Sequence, residues 1–178
     1  MDKIQREVLS AAMIGTILEW YGIFLFSSGA IFIAHAFLPK GNALATIAET
    51  LFIFAIGFFM RPVGAIFFGH YGDKIGRKKM LLYTLMISGV STGLVGILPT
   101  YASAGVISII LLIILRLLLG FGLGGEWGGA MLLDLENFKN KRGLWASFVQ
   151  STVGIGLILG ALAFLILTII LSSSAFYS

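Results

Sequence analysis

Apolar residues run continuously along this chain in five blocks, roughly Val8 to Phe37, Leu44 to Phe68, Leu81 to Leu98, Ala104 to Leu133 and Leu144 to Leu171, and polar residues gather in the gaps between them. Each block is near or above the roughly 20 helical residues that cross a hydrocarbon core of about 30 Å. Strands of a membrane barrel alternate polar and apolar residues within segments of about 10 residues, whereas these blocks are longer and unbroken. The pattern therefore predicts an all-α membrane protein with five transmembrane helices, one domain over residues 1–178, and connecting loops at about 69–80 and 134–143. The first block is too long for a signal-peptide core and contains Glu19.

Composition sharpens this picture. Only 11% of residues are charged and 58% are hydrophobic, whereas an ordinary globular domain carries about a quarter charged residues. The cations are unevenly placed: Lys3 and Arg6 precede the first block, Lys74, Arg77, Lys78 and Lys79 separate the second and third, and Lys139, Lys141 and Arg142 separate the fourth and fifth. The opposite loops hold only Lys40. Because Lys and Arg stay on the cytoplasmic side, this asymmetry predicts a multi-pass protein of the cell's inner (cytoplasmic) membrane with its N-terminus in the cytoplasm. The net charge of +4 then reflects topology and calls for no nucleic-acid partner.

Several chemistries lack their residues. There is no cysteine, and His35 and His70 stand apart, so neither a thiolate site nor a histidine ligand cluster is present and no metal or cofactor is expected. No nucleophile and base pair and no H-E-x-x-H run appears, so an enzyme is not expected. Ionisable residues inside the apolar blocks are the informative ones, because each costs about 2.5–3.5 kcal/mol on insertion scales. Glu19, Arg61, Arg116 and Glu126 qualify. The helical face of Glu19 carries Ala12, Gly15, Gly22 and Ala30, and the segment after Arg116 repeats glycine every four residues at Gly120, Gly124 and Gly128, two tracks suited to close helix contact. Glu19 and Arg116 both fall near the middle of their blocks, which makes them an expected ion pair. Glu126 lies ten residues beyond Arg116, about 15 Å along a helix, so its expected partner is Arg61 or the cytoplasmic cations.

The stretch "GHYGDKIGRKKML" packs one carboxylate and four cations into Asp73 to Lys79. Gly69, Gly72 and Gly76 suit a tight turn with close helix approach, and Asp73 has Arg77 as a charge partner. "RPVGAIFFGHYGDKIGRKKML" resembles the signature between the second and third helices of the major facilitator superfamily, G-x-x-x-D-[RK]-x-G-R-[RK], with Gly69, Asp73, Lys74, Gly76, Arg77 and Lys78 all fitting. Together with "EWYGIFLFSSGA", "RLLLGFGLGGEWGGA" and "KRGLWASFVQSTVGIGLILG", it resembles four successive landmarks of the metabolite:proton symporters of that superfamily, covering nearly the whole chain.

This resemblance implies a secondary transporter that carries an organic acid, a zwitterion or a sugar with protons by alternating access. It implies a cytoplasmic gate of Gly69, Asp73, Gly76 and Arg77, joined by Glu136 and Arg142, and a proton and substrate region around Glu19, Tyr21, Arg116, Glu126, Trp127 and Gln150. Gly22 stands where relatives usually have an aspartate resembling the proton-carrying position of the sugar porters, so Glu19, one turn earlier, is expected to take that role with Arg116 as its modulator. Leu157 stands where sugar porters often present a second glutamine, which favours a carboxylate or zwitterion over a sugar. Five helices resemble an incomplete N-terminal six-helix bundle. The expected partners are therefore the lipid bilayer, the substrate and protons, and a sixth helix with a second half, in the same longer chain or in a partner chain. The rival reading is a non-transporting membrane subunit or remnant that only packs with partner helices.

Overall fold

The computed structural model describes residues 3–39, 41–137 and 142–170; within these, side chains are described except for residues 3–5, 7, 8, 43, 127–137 and 142. Every regular element among the described residues is a helix: α1 (Lys3–Ser28), α2 (Ala30–Phe37), α3 (Ala43–Ile75), α4 (Arg77–Val95), α5 (Tyr101–Ala104), α6 (Val106–Asn137) and α7 (Arg142–Ile170).

The first apolar block becomes α1 and α2, separated only by Gly29. The helical ladder runs through this break, because the Gly29 N–H donates to the Leu25 carbonyl at 2.9 Å and the Ile33 N–H donates to the Gly29 carbonyl at 3.0 Å. Asn42 starts α3 by accepting the Leu44 N–H on its side chain at 2.9 Å, which satisfies one of the first-turn donors a helix leaves open. The loop expected over residues 69–80 is far shorter in the structure. α3 continues through Gly69 and Gly72 to Ile75, and the chain reverses at Gly76 alone, with φ of 104°. Of Gly69, Gly72 and Gly76, only the last takes a backbone conformation that a Cβ would oppose.

Among the described residues, four helical stretches are long and apolar enough to cross a membrane: Leu9–Ser28, Leu44–Ile75, Val106–Glu126 and Gly143–Ile170. The third expected span corresponds to α4, which opens with Arg77, Lys78 and Lys79 and buries a face of Leu81, Thr84, Ser88 and Ser91. Its inward side is thus built of hydroxyls, suited to close contact with a neighbouring helix.

α6 occupies the centre and touches all the other helices, with its broadest contacts to α3 and α4, while α7 lies mainly on α1. Glycine sets the α3–α6 approach. A Cβ at Gly120 would collide with the Gly57 carbonyl oxygen, and one at Gly64 with the Phe121 carbonyl oxygen, so the two backbones touch directly. The outer face of α3 shows the reverse preference, with Phe52, Phe59 and Ile66 exposed at seven-residue intervals. In a bilayer such large side chains meet lipid, and small residues go where helix meets helix.

Two apolar clusters flank the middle of the bundle. One joins Leu9 and Ala12 of α1 to Leu81 of α4 and Val149 of α7; the other joins Ala34 and Phe37 of α2 to Ile53 of α3 and Leu112 of α6. The charges within the apolar helices, Glu19, Arg61, Arg116 and Glu126, belong to neither cluster; Glu19, Arg116 and Glu126 are buried and Arg61 is half-buried.

Candidate functional site

A cavity of about 480 Å³ is lined by α1, α2, α3, α4 and α6 and by no residue of α7. Its wall is chiefly apolar and aromatic, with Glu19, Tyr21, Arg61, Ser88, Arg116 and Glu126 as polar groups. This is the usual make-up of a small-molecule site, an apolar concavity with a few placed polar groups.

Glu19 projects from the middle of α1, and its Oε1 accepts from Arg61 Nη2 of α3 at 2.9 Å. The Glu19 side chain is 2% exposed and that of Arg61 25%. Arg61 also lies over the Phe58 ring, one turn earlier on α3, at 4.7 Å. The expected Glu19–Arg116 pair does not form. The helix register explains why. Gly15 of α1 sits against the Glu126 carboxylate of α6, and Phe26 of α1 sits under Arg116, whose Cζ is 3.2 Å from the ring centroid. α1 and α6 therefore run antiparallel, and Arg116 is level with residue 26. The seven residues from 19 to 26 correspond to about 10 Å of helix rise, beyond an ion-pair contact. α3 lies beside α6 so that a Cβ at Gly124 would meet the Arg61 carbonyl oxygen, which puts Arg61 at the level of Glu19.

Glu126 is buried, and its Oε1 has no hydrogen-bond partner among the described residues. Arg61 and Glu19 are both near enough to interact with it electrostatically. Arg61, an expected partner for Glu126, gives its ion pair to Glu19 instead. Arg116 is 6% exposed and has no ion pair among the described residues, and its Nε lacks a hydrogen-bond partner.

Tyr21 and Gly22 line the cavity, and a Cβ built on Gly22 meets nothing within 4 Å. Gln150, expected to contact substrate, is exposed and outside the cavity lining. α7 meets α1 through Gly156 and Gly160, which face Trp20, Tyr21 and Phe24. Phe26 and Phe54, stacked at 5.3 Å in the cavity wall, were not expected from the sequence, because one phenylalanine among 15 carries no positional signal.

At the α3–α4 turn, Arg77 Nη2 donates to Asp73 Oδ1 at 3.1 Å across one helical turn of sequence. Gly69 is exposed on α3, two turns before the reversal at Gly76. The side chains of Trp127, Glu136 and Arg142 lie outside the described residues. Among the described residues no group of His, Asp and Glu is placed to hold a metal ion.

The model of the sugar (and other) transporter family matches residues 8–177. The chain is 40% identical over 176 residues, 98% of its length, to an inner membrane metabolite transport protein of Escherichia coli, YhjE, and covers 40% of that protein. It is 40% identical over 86% of its length to the shikimate transporter of the same organism, covering 36% of it. It is 32% identical over 96% of its length to the E. coli proline/betaine transporter, covering 34% of it. The chain thus spans no more than about two fifths of these relatives. No solved structure matches it. With a family model spanning nearly every residue and membrane-crossing helices packed around a charged cavity, the chain belongs to the sugar (and other) transporter family of the major facilitator superfamily.

Proposed function

We propose that the chain is the N-terminal portion of a secondary active transporter that moves a small metabolite, an organic acid, zwitterion or sugar, together with protons by alternating access. The observation that carries this reading is the Glu19–Arg61 ion pair in the wall of an otherwise apolar cavity. Two charges are retained in a membrane bundle only at a cost, and such residues characteristically mark substrate or proton pathways. A proton arriving at Glu19 neutralises the carboxylate and releases Arg61, and its departure restores the pair. That exchange ties protonation to the spacing of α1 and α3, the structural change a coupled carrier needs. Arg61 thereby takes the modulating role expected of Arg116.

The Asp73–Arg77 pair and the Gly76 hinge form the cytoplasmic gate, with the N-terminus on the same side of the inner membrane. That relatives are named for shikimate and for proline/betaine supports a small polar metabolite as the substrate. In proteoliposomes, the full-length protein is expected to accumulate substrate faster under an inward proton gradient, and Glu19→Gln is expected to abolish that acceleration. Gradient-driven uptake that survives Glu19→Gln would show that Glu19 carries no proton. Gly22, where relatives have a carboxylate, favours a second reading in which the chain packs with partner helices and transports nothing. Absence of uptake with or without a gradient would support it.

A further inference from the structure

Two guanidinium groups line the cavity, Arg61 half-buried and Arg116 buried, and among the described residues only Arg61 has a carboxylate partner. Arg61 is held by Glu19, whereas Arg116 is 6% exposed, has no ion pair, and has an Nε without a hydrogen-bond partner among the described residues. Stacking on Phe26 at 3.2 Å offsets only part of the cost of desolvating a full charge. The guanidinium carbon lies over the Phe26 ring, and it is the N–H groups of a guanidinium that match a carboxylate in two parallel hydrogen bonds. The Phe26 and Phe54 rings and the side chain of Leu119 supply the apolar wall beside it.

We propose that Arg116 is the receptor for the carboxylate of a small organic-acid substrate, gripped along the guanidinium edge. This rests on the transporter reading above and names the substrate class for the same cavity. The other buried groups fit a solute with one anionic end. Glu19 is already engaged by Arg61, and Glu126 lies ten residues further along α6, about 15 Å away by helix rise, too far for the ammonium of a compact zwitterion to reach while its carboxylate sits on Arg116.

The test uses the full-length protein purified in detergent, with no proton gradient. Calorimetric titration with acetate, benzoate, malate and shikimate, each beside its methyl ester, is expected to find at least one acid that binds and an ester that binds at least tenfold more weakly. Arg116→Gln is expected to weaken acid binding about 10- to 100-fold, the range for losing a charge-assisted hydrogen-bonded contact, and to erase the preference for acid over ester. Arg116→Lys keeps the charge and loses the fork, so it restores part of that preference; if the Gln variant fails to fold by circular dichroism, the Lys variant carries the test through a several-fold loss of acid preference. Binding of no acid in the panel, equal binding of acid and ester, or an unchanged preference in a folded Arg116 variant would overturn the proposal. In the parent protein, a failure of proton-driven uptake with the acid preference intact counts against proton coupling alone.

Discussion

Two carboxylate–guanidinium pairs in this molecule have nearly the same length and different consequences. Glu19–Arg61 closes at 2.9 Å and Asp73–Arg77 at 3.1 Å, but the Glu19 side chain is 2% exposed and that of Asp73 is 69% exposed. The second pair joins neighbouring turns of sequence beside a glycine hinge; the first joins α1 to α3 across the bundle. An exposed pair on adjacent turns contributes a few tenths of a kcal/mol and is screened by salt. A buried pair adds little net stability when whole, but losing one member leaves the other charge without compensation. The inner pair therefore suits an element whose protonation must matter to the fold, and the outer pair one that opens and closes at small cost.

The largest expected effect comes from breaking the inner pair on one side. Arg61→Ala leaves the Glu19 carboxylate buried and is expected to cost about 3–5 kcal/mol, measured by thermal unfolding in detergent. Next is the seam that sets the register of that pair. Gly120→Ala drives a methyl group into the Gly57 carbonyl oxygen, with an expected loss of about 1–3 kcal/mol. Because this variant touches neither charge, it shows whether helix spacing governs the inner pair: gradient-driven uptake should fall with stability. The double variant Glu19→Leu with Arg61→Met removes both charges and is expected to sit within about 1 kcal/mol of the parent in stability, since buried pairs replaced by apolar groups of like volume are often neutral. A double variant as unstable as Arg61→Ala would show that the single loss is not one of charge. The smallest stability effect is expected from Asp73→Asn, about 0.3–0.5 kcal/mol and vanishing in high salt, with its signature instead in the accessibility of engineered cysteines lining the cavity.

The contrast also explains what could be read from the sequence. The Asp73–Arg77 pair was legible because the two residues stand four apart along the chain, on either side of the turn at Gly76, and so are neighbours by local geometry. Helical character was legible from unbroken apolar runs. The partner of Glu19 was not. It depends on where α1 and α3 slide along α6, which is fixed by direct contacts at Gly15, Gly57 and Gly120 that no single helix contains. Arg61 was noticed as a charge in an apolar run, but a one-dimensional estimate of depth placed Glu19 opposite Arg116 and missed by two helical turns. The expected loop at 69–80 was too long for a related reason. Gly69 and Gly72 read as turn residues in a soluble chain, but in a bundle of touching helices glycine is tolerated inside α3, and only Gly76 breaks it.

With carbonyl groups of one helix lying against the backbone of the other at Gly57, Gly64 and Gly120, α3 and α6 have no side-chain cushion at those points to compress or slide upon. They form a stiff keel, and whatever doorway admits a solute must swing on the helices hung from it, α1 and α4.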